Sequence, residues 1–331
     1  MHVRVSTEWT YRGLNAVILE NELLRVVILP EAGGKIWQIT YKPLDADLLW
    51  NNPRIAPAKL PAGSRYDDVW SGGWDELFPN DEVAVIEGES YPDHGELWTG
   101  AWAAEPFSKG RCVGVRLRYV TPISSIEVEK TISLHSDRSS IEFEHRFSNL
   151  AKTEFPFLWK LHPAMAVTPR HRIDFPSMKV ELEPAFPGTL AGAAEPADWP
   201  ILNTPHGNVD LRCIPPENAR QLYFFYGSEM KGNWCALTNS ANGLACALQF
   251  DPKIFSCCWL FASYGGWRNY NVAVLEPCNG YPLNFEAMRA AGRHRTLSPG
   301  ESLKTNVRFL VQEGLRCVTS VDEAGVMSEG K

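Results

Sequence analysis

The strongest constraint on the fold of this chain is a repeated alternation of apolar and polar residues with a period of two. Residues 24–29 (LRVVIL) are followed by Pro30 and the pair Gly33-Gly34, and then by the alternating run 35–41 (KIWQITY). Side chains of a strand point alternately to two faces, so these runs predict two strands joined in a hairpin. Further strands are predicted at 113–120, 126–134, 141–148, 221–226, 245–250, 270–275 and 303–311.

Helical patterns are scarce. Phe285, Met288 and Arg289 fall at helical spacing, which predicts one short turn or helix over 284–291. Many short strands separated by Gly and Pro turns are typical of a sandwich or barrel. We therefore predict an all-β fold of antiparallel sheets. Because sandwiches often exceed about 200 residues as one unit, we predict a single domain over residues 1–331, with a flexible tail from about 320.

Two segments lack a clear strand pattern. Residues 51–93 are rich in Pro, Gly, Asp and Trp, and residues 184–216 are rich in Pro, Ala and Gly. Long irregular segments in a compact domain are usually lids or binding loops. We therefore expect both segments to be functional loops.

Charge and targeting signals narrow the class of protein. The net charge is −7 and no basic cluster occurs, so nucleic acid and anionic membranes are not expected partners. No apolar run of a signal peptide and no stretch of about 18 apolar residues is found. The eight Cys form no CxxC pair, which predicts buried free thiols rather than a zinc module or disulfides. We expect a cytoplasmic protein.

Aromatic residues are abundant, with 12 Trp, 10 Tyr and 15 Phe. Flat rings suit both sheet cores and the apolar faces of sugar rings. Most of these rings are expected in the core. One or two of five tryptophans are expected to stack on a ligand, namely Trp74, Trp98, Trp159, Trp259 and Trp267.

Four segments combine reactive side chains with aromatic rings, at 72–80, 91–98, 157–163 and 275–282. In the third, strand alternation places Lys160 and His162 on one face, which is either solvent-facing or a polar cleft. In the fourth, Glu276 ends an apolar strand, where burial would raise its pKa and make it a usable base. Residue type alone favours an exposed or satisfied histidine at 162 and an ordinary edge carboxylate at 276.

Other chemistries have weaker support. His94 lies between Asp93 and Gly95, and Glu96 follows, but no further ligand spacing supports a metal, and we predict none. Serine-hydrolase, phosphate-loop and dinucleotide motifs are missing from the sequence. Glycoside hydrolysis by paired carboxylates stays open, with Asp75, Glu76, Glu96 or Glu276 as candidates.

Taken in order, these motifs resemble the galactose mutarotase-like (aldose 1-epimerase) superfamily. The resemblance covers nearly the whole chain. It implies an antiparallel β-supersandwich that binds a sugar across a concave face. The matching segments are the opening hairpin at 20–36, His94-Gly95, Trp159-x-x-His162-Pro163, the aromatic segment 255–277 with Glu276, and the late turn 297–302.

The resemblance implies that Glu276 is the general base and His162 the general acid, and that no cofactor is needed. The classical Asn-Arg motif is matched only loosely, by Asn52-Pro53-Arg54, and the insertion 73–79 indicates a divergent branch. The candidates for sugar binding are His94, Asp75, Glu96, Lys160, Trp159, Arg268, Arg54 and Asp210.

The expected function is a mutarotase-type isomerase that interconverts the anomers of a free or modified aldose. Lys160 and Arg268 would receive the anionic group of an acidic sugar. A non-catalytic sugar-binding domain on the same fold is the alternative, and glycoside or polysaccharide cleavage is less favoured. The expected partner is a small sugar, neutral or acidic. The sequence does not fix the oligomeric state.

Overall fold

The computed structural model describes residues 2–330. Strands make up 50% and helices 6% of the chain, and strands pair in antiparallel fashion, which confirms the predicted all-β class. In this part of the chain no helix is long and apolar enough to cross a membrane.

The chain forms two compact units. The first unit ends at Pro163 and resumes over Asn279–Val307, and the second comprises Ala164–Cys278 and the chain from Arg308 onward. Each unit has its own antiparallel sheets and its own apolar cluster. The single domain over residues 1–331 stays a prediction.

The first unit carries two larger sheets, together with short strand pairs and two helices. Its elements are β1 (Arg4–Tyr11), β2 (Leu14–Glu20), β3 (Leu24–Leu29), β4 (Lys35–Tyr41), β5 (Ala46–Asp47), α1 (Tyr66–Val69), β6 (Trp74–Leu77), β7 (Ala84–Ile86), β8 (Glu89–Tyr91), β9 (Ala103–Lys109), β10 (Cys112–Val120), β11 (Ile126–His135), β12 (Ser140–Asn149), β13 (Phe155–Phe157), the start of β14 (Lys160–Ala166), α2 (Phe285–Ala290), β25 (Arg295–Leu297) and the start of β26 (Ser302–Gln312).

The larger sheets of the first unit pack against each other through strand β6. One sheet has the order β1-β2-β3-β4-β6-β14, and the other has the order β9-β10-β11-β12. The ring of Trp74 on β6 lies 4.8 Å from the ring of Phe143 on β12. Strand β6 therefore has one face in the core between these sheets.

The second unit is built on the same plan of antiparallel hairpins. Its strands pair in the orders β17-β16-β20-β23-β24 and β15-β21-β22, with the separate pairs β18-β19 and β27-β28. Their bounds are β15 (His171–Asp174), β16 (Lys179–Leu182), β17 (Ala197–Asp198), β18 (Ile201–Thr204), β19 (Gly207–Asp210), β20 (Gln221–Ser228), β21 (Trp234–Asn239), β22 (Leu244–Phe250), β23 (Cys257–Tyr264), β24 (Asn271–Cys278), β27 (Ser320–Val321) and β28 (Met327–Ser328).

The predicted regular elements are confirmed. Each of the nine predicted strand segments falls on an observed strand, and the first two form the expected hairpin β3-β4. The predicted helix is α2, and the side chain of Asn284 caps it by accepting a 2.9 Å hydrogen bond from the main-chain N–H of Ala287.

The predicted long loops are only partly irregular. The segment 51–93 contains α1, β7, β8 and the buried strand β6, and the segment 184–216 contains β17, β18 and β19. The prediction of loops was wrong for these strands. Pro and Gly dominate the flanks of both segments, and four-residue strands are too short to show a period against that background.

The predicted flexible tail was also wrong. Residues 320–328 form the hairpin β27-β28, and Met327 is buried in the apolar cluster of the second unit. The predicted free thiols are present, but Cys213 is exposed and Cys112 and Cys317 are only partly buried. The other five are buried.

Candidate active site

Strand β6 carries two adjacent carboxylates to opposite faces of its sheet. All four of its residues are buried, and in the pairing with β14 Asp75 lies opposite His162 while Glu76 lies opposite Leu161. Since side chains alternate along a strand, Asp75 and His162 share one face and Glu76 points to the other. The Asp75 face therefore brings a predicted acid–base residue next to a carboxylate.

We define the Asp75 cluster as Lys35, Tyr66, Asp75 and His162. The Nζ of Lys35 lies 2.5 Å from Oδ2 of Asp75, and the hydroxyl of Tyr66 donates a 2.9 Å hydrogen bond to the same oxygen. The Tyr66 oxygen also lies 3.2 Å from Nδ1 of His162. Among residues 2–330, Oδ1 of Asp75 receives no hydrogen bond.

Two glycines allow β6 to enter the sheet so close to its neighbours. Gly72 and Gly73 have φ of +80° and +77°, a conformation that other residues rarely adopt. A Cβ at Gly72 would lie 2.3 Å from the carbonyl oxygen of Trp50, so no side chain fits there. The carbonyl of Gly72 in turn accepts a 2.9 Å hydrogen bond from Lys35 Nζ, which fixes the ammonium beside Asp75.

Aromatic rings surround the Tyr66 ring. Its ring stacks on His94 with centroids 4.1 Å apart and meets Trp98 edge-on at 4.9 Å. His162 also lies edge-on to it, at 5.4 Å. Tyr66, Asp75, Lys35 and Trp98 line a small cavity together with Trp70.

His94 is held by a carboxylate on its own loop. Its Nδ1 lies 2.8 Å from Oδ1 of Asp93, whose Oδ2 accepts a 2.8 Å hydrogen bond from the main-chain N–H of Tyr66. Burial by itself would lower the pKa of His94, but the carboxylates of Asp81 and Asp93 outweigh it and raise the pKa. His94 therefore favours the protonated form more than an ordinary histidine does.

His162 has the opposite electrostatics. Burial holds the pKa of His162 well below its ordinary value. The charges of Lys160, His94 and Lys35 lower this pKa further. His162 is therefore neutral near pH 7, while Lys160 forms a 2.5 Å ion pair with Asp81.

No protein-family model matches the sequence. Solved structures do match over most of the chain. A proposed aldose 1-epimerase from Klebsiella pneumoniae has a TM-score of 0.71 at 12% identity, covering 93% of this chain and 83% of that one. A galactose mutarotase-like protein from Clostridium acetobutylicum has a TM-score of 0.68 at 12% identity, covering 94% and 99%. A galactose mutarotase related enzyme from Lactobacillus acidophilus has a TM-score of 0.61 at 13% identity, covering 91% and 98%.

This chain has the galactose mutarotase-like fold. The predicted β-supersandwich is thereby confirmed. In this galactose mutarotase-like chain the structure brings together four predicted site residues, His94, His162, Lys160 and Asp75, in the first unit.

The side chains of Glu96 and Trp159 are both buried and form hydrogen bonds with other residues of the first unit. The carboxylate of Glu96 is buried and accepts hydrogen bonds from the N–H of Ile123, at 2.7 Å, and from the hydroxyl of Ser124, also at 2.7 Å. The side chain of Trp159 is fully buried, and its Nε1 donates to Glu76 at 3.2 Å. Glu96 therefore anchors a turn and Trp159 packs in the core, and a role of either residue in sugar binding stays a prediction.

Three further candidates are Arg54, Asp210 and Arg268. Arg54 is exposed, and its main-chain N–H donates to Oδ1 of Asn52 at 2.9 Å. Asp210 lies in the second unit, where Arg212 binds both of its oxygens, so Asp210 is better explained as an ion-pair partner. Arg268 is exposed in the second unit with its guanidinium over the Trp267 ring.

The predicted base is also in the second unit. Glu276 is buried on β24, where its main chain pairs with Trp259 on β23. The carboxylate is buried as expected, but β24 continues to Cys278, so Glu276 does not end the strand. Its role as a base stays a prediction.

Sequence reasoning missed several members of the site. Lys35 was treated only as a polar residue of a hairpin, and Tyr66 and Asp81 carried no motif. One signal was available for Lys35, because it is a cation at the start of a strand, directly after the Gly33-Gly34 turn. Among residues 2–330, no group of three or more His, Cys, Asp or Glu side chains is arranged to hold a metal.

Proposed function

We propose that this protein is a mutarotase-type isomerase, which interconverts the anomers of an aldose by general acid–base catalysis. The observation that carries the proposal is His162. It is neutral and buried, and its Nδ1 lies 3.2 Å from the hydroxyl of Tyr66 in the Asp75 cluster. A positioned neutral imidazole is a suitable proton-transfer group.

The reaction needs little more than two such groups. The proton of the C1 hydroxyl must leave while the ring oxygen gains one, so that the ring opens to an aldehyde. Rotation about the C1–C2 bond and closure on the other face reverse both transfers. Each positioned proton transfer accelerates a reaction by about 10²–10⁴-fold.

Side chains near His162 suit a sugar. His94 and Lys160 lie near His162 and provide hydrogen-bond donors for hydroxyl groups. Because Asp81 compensates the charge of Lys160, a neutral aldose is the simplest substrate class. For the second acid–base group we propose Glu276, on the resemblance that the sequence carries.

The experiment is anomer exchange measured by saturation-transfer NMR over a panel of neutral and acidic aldoses. The wild type is expected to accelerate exchange of at least one sugar, and Glu276→Gln is expected to lose this acceleration. His206→Asn, a substitution at an exposed histidine, is the control that should change nothing. Sugar binding without acceleration of any anomer exchange would refute the proposal in favour of a binding domain.

A further inference from the structure

Trp9 is a large aromatic residue on the surface of the first unit. It belongs to β1, which lies at the edge of its sheet, and it is 60% exposed. The register of β1 with β2 shifts between Ser6 and Trp9, and Trp9 then lies opposite the small side chain of Ala16. A single exposed ring is common on protein surfaces, so the surroundings of Trp9 decide whether the ring has a role.

Trp9 lines a surface cavity of about 470 Å³ in the first unit. Ligand sites in proteins commonly measure about 300–1,000 Å³. The residues that line this cavity come from β1 to β4, from the turn after β1 and from residues 51–53, and they differ from those that line the cavity beside Asp75. It is therefore a second candidate site, built from residues outside the Asp75 cluster.

The base of the cavity is apolar and packed. Trp37 is buried there in the apolar cluster that also contains Ala16 and Val27, and all three line the cavity. The ring of Tyr11, another lining residue, lies 5.4 Å from the ring of Trp37. Because these side chains pack against one another, the surface is preformed, and a ligand would order few groups on binding.

Two amide side chains that line the cavity have a fixed orientation. Nε2 of Gln38 donates 2.9 Å hydrogen bonds to both carboxylate oxygens of Asp47, and Nδ2 of Asn51 donates a 2.9 Å hydrogen bond to the carbonyl of Trp37. A carboxylate and a carbonyl only accept hydrogen bonds, so the amide nitrogens must face these partners. The oxygen of each amide is therefore at the other end of the group, where it is a hydrogen-bond acceptor.

Arg12 supplies hydrogen-bond donors at the same cavity. It lines the cavity from the turn after β1, and it is exposed. A guanidinium carries five N–H donors and no acceptor. Among residues 2–330, no acidic side chain lines this cavity. The cavity thus combines an aromatic surface with oriented acceptors and a group of donors.

We propose that this cavity binds the pyranose ring of a saccharide, with the sugar packed on Trp9. A pyranose has an apolar face of C–H groups and a rim of hydroxyl groups that both donate and accept hydrogen bonds. The aromatic ring suits the apolar face, and Gln38, Asn51 and Arg12 suit the hydroxyl groups. A purely apolar ligand would take the same polar groups out of water without replacing their hydrogen bonds. The site goes beyond the proposed isomerase function, since binding here needs no reaction at C1.

The test uses methyl glycosides, which have no free C1 hydroxyl and cannot exchange anomers. The full-length protein is labelled with fluorinated tryptophan, and the fluorine NMR signal of Trp9 is assigned by its loss in Trp9→Phe. Methyl glucoside, methyl galactoside and methyl glucuronide are then titrated in turn. We expect at least one of them to shift the Trp9 signal with a Kd of about 1 mM, as is typical of a ligand of this size.

Trp9→Ala is the decisive variant, because it removes the aromatic surface from an exposed position where little packing is lost. It should weaken binding of the same glycoside by about fivefold or more, measured by titration calorimetry. Phe186→Ala is the matched control, since it removes another exposed aromatic ring, in the second unit, and should leave the Kd unchanged.

Two kinds of result would overturn the inference. One is a Trp9 signal that no glycoside shifts, or an affinity that is equal in the wild type and in Trp9→Ala. The other is a dimer of the wild type that dissociates in Trp9→Ala, seen by analytical ultracentrifugation, because a second copy of the chain would then cover the ring. Neither result depends on anomer exchange, so this site and the proposed isomerase function stand or fall separately.

Discussion

Asp75 and Glu76 are neighbours in the sequence, yet they belong to two different buried clusters on opposite faces of β6. The Asp75 cluster was defined above. We define the Glu76 cluster as Glu76, Lys130, His145 and Trp159. Each cluster contains one carboxylate, one lysine, one histidine and one aromatic side chain with a polar atom, so residue type alone does not distinguish them.

The Glu76 carboxylate is saturated with donors. Its Oε1 lies 3.0 Å from Nζ of Lys130 and 3.0 Å from Nε2 of His145, and its Oε2 accepts from Trp159. Burial opposes ionisation of Glu76, but His145 and Lys130 outweigh it and hold the pKa of Glu76 far below its ordinary range. This carboxylate is a permanent anion inside the core.

The Asp75 cluster is incomplete by comparison. One oxygen of Asp75 has no hydrogen-bond partner among residues 2–330, and Lys35, Tyr66 and Asp75 line a small cavity. In the Glu76 cluster both carboxylate oxygens have donors, and only Nδ1 of His145 lacks a partner among the same residues. The difference indicates that the saturated carboxylate specifies the fold, whereas the unsaturated one at a cavity is available for chemistry. The predictions below test this distinction.

The largest expected effect is on catalysis. His162→Asn should lower kcat/KM for anomer exchange by about 10²–10⁴-fold, because it removes the proton-transfer group, with little change in Tm. His145→Asn should do the reverse and lower Tm while the folded enzyme keeps its exchange rate. The rate of anomer exchange is measured by NMR and Tm by calorimetry, in both variants. Equal losses of activity in the two variants would remove the distinction between the clusters.

The next effect is on stability. Lys130→Met should lower the free energy of unfolding by about 3–5 kcal/mol, because it leaves the buried charge of Glu76 undercompensated. Lys59→Met breaks an ion pair with Glu31 in which the lysine side chain is 60% exposed, and should cost less than about 1 kcal/mol. Urea unfolding measures both. Similar costs for the two lysines would contradict a structural role for the Glu76 cluster.

A smaller effect is expected in the pH dependence of stability. The pKa of His94 is raised on folding, so its contribution is complete below the unfolded value of about 6.5 and is lost as the pH rises through the folded pKa. The pKa of His162 is lowered on folding, so stability falls as the pH decreases below about 6.5.

Substituting each histidine separates these contributions. His94→Gln should abolish part of the stability loss at rising pH, and His162→Asn should abolish part of the loss at falling pH. Unfolding free energies measured from pH 5 to pH 8 check both signs. If His94→Gln leaves the curve above pH 6.5 unchanged, the His94–Asp93 pair does not act as described.

The smallest effect concerns the anionic sugar that the sequence suggested. Arg268→Ala should weaken binding of an acidic aldose by about fivefold, as expected for an exposed charge, and leave a neutral aldose unaffected. Titration calorimetry with a matched pair of sugars measures this. An equal effect on both sugars would rule out Arg268 as the anion-binding residue.

Much of the fold could be predicted from the sequence because the alternation of apolar and polar residues along a strand is visible in a few consecutive residues. Residues 126–134 alternate between apolar and polar side chains along an edge of the core, and the observed β11 covers them almost residue for residue. The relation of His162 to Lys160 followed from the same rule. Strand β6 could not be found in this way, since both of its faces are buried and polar residues point to each.

The sequence by itself determined the antiparallel all-β class, the positions of the longer strands and helix α2, and the resemblance that placed His94 and His162 among the site residues. Only the tertiary structure decided which residues meet them. Lys35, Tyr66 and Asp75 come from three separate elements, and Tyr66 lies 96 positions from His162. Local periodicity predicts the face of the sheet to which a side chain points. It does not predict which distant side chains lie beside it on that face, because those neighbours depend on strand order and on the path of the intervening loops.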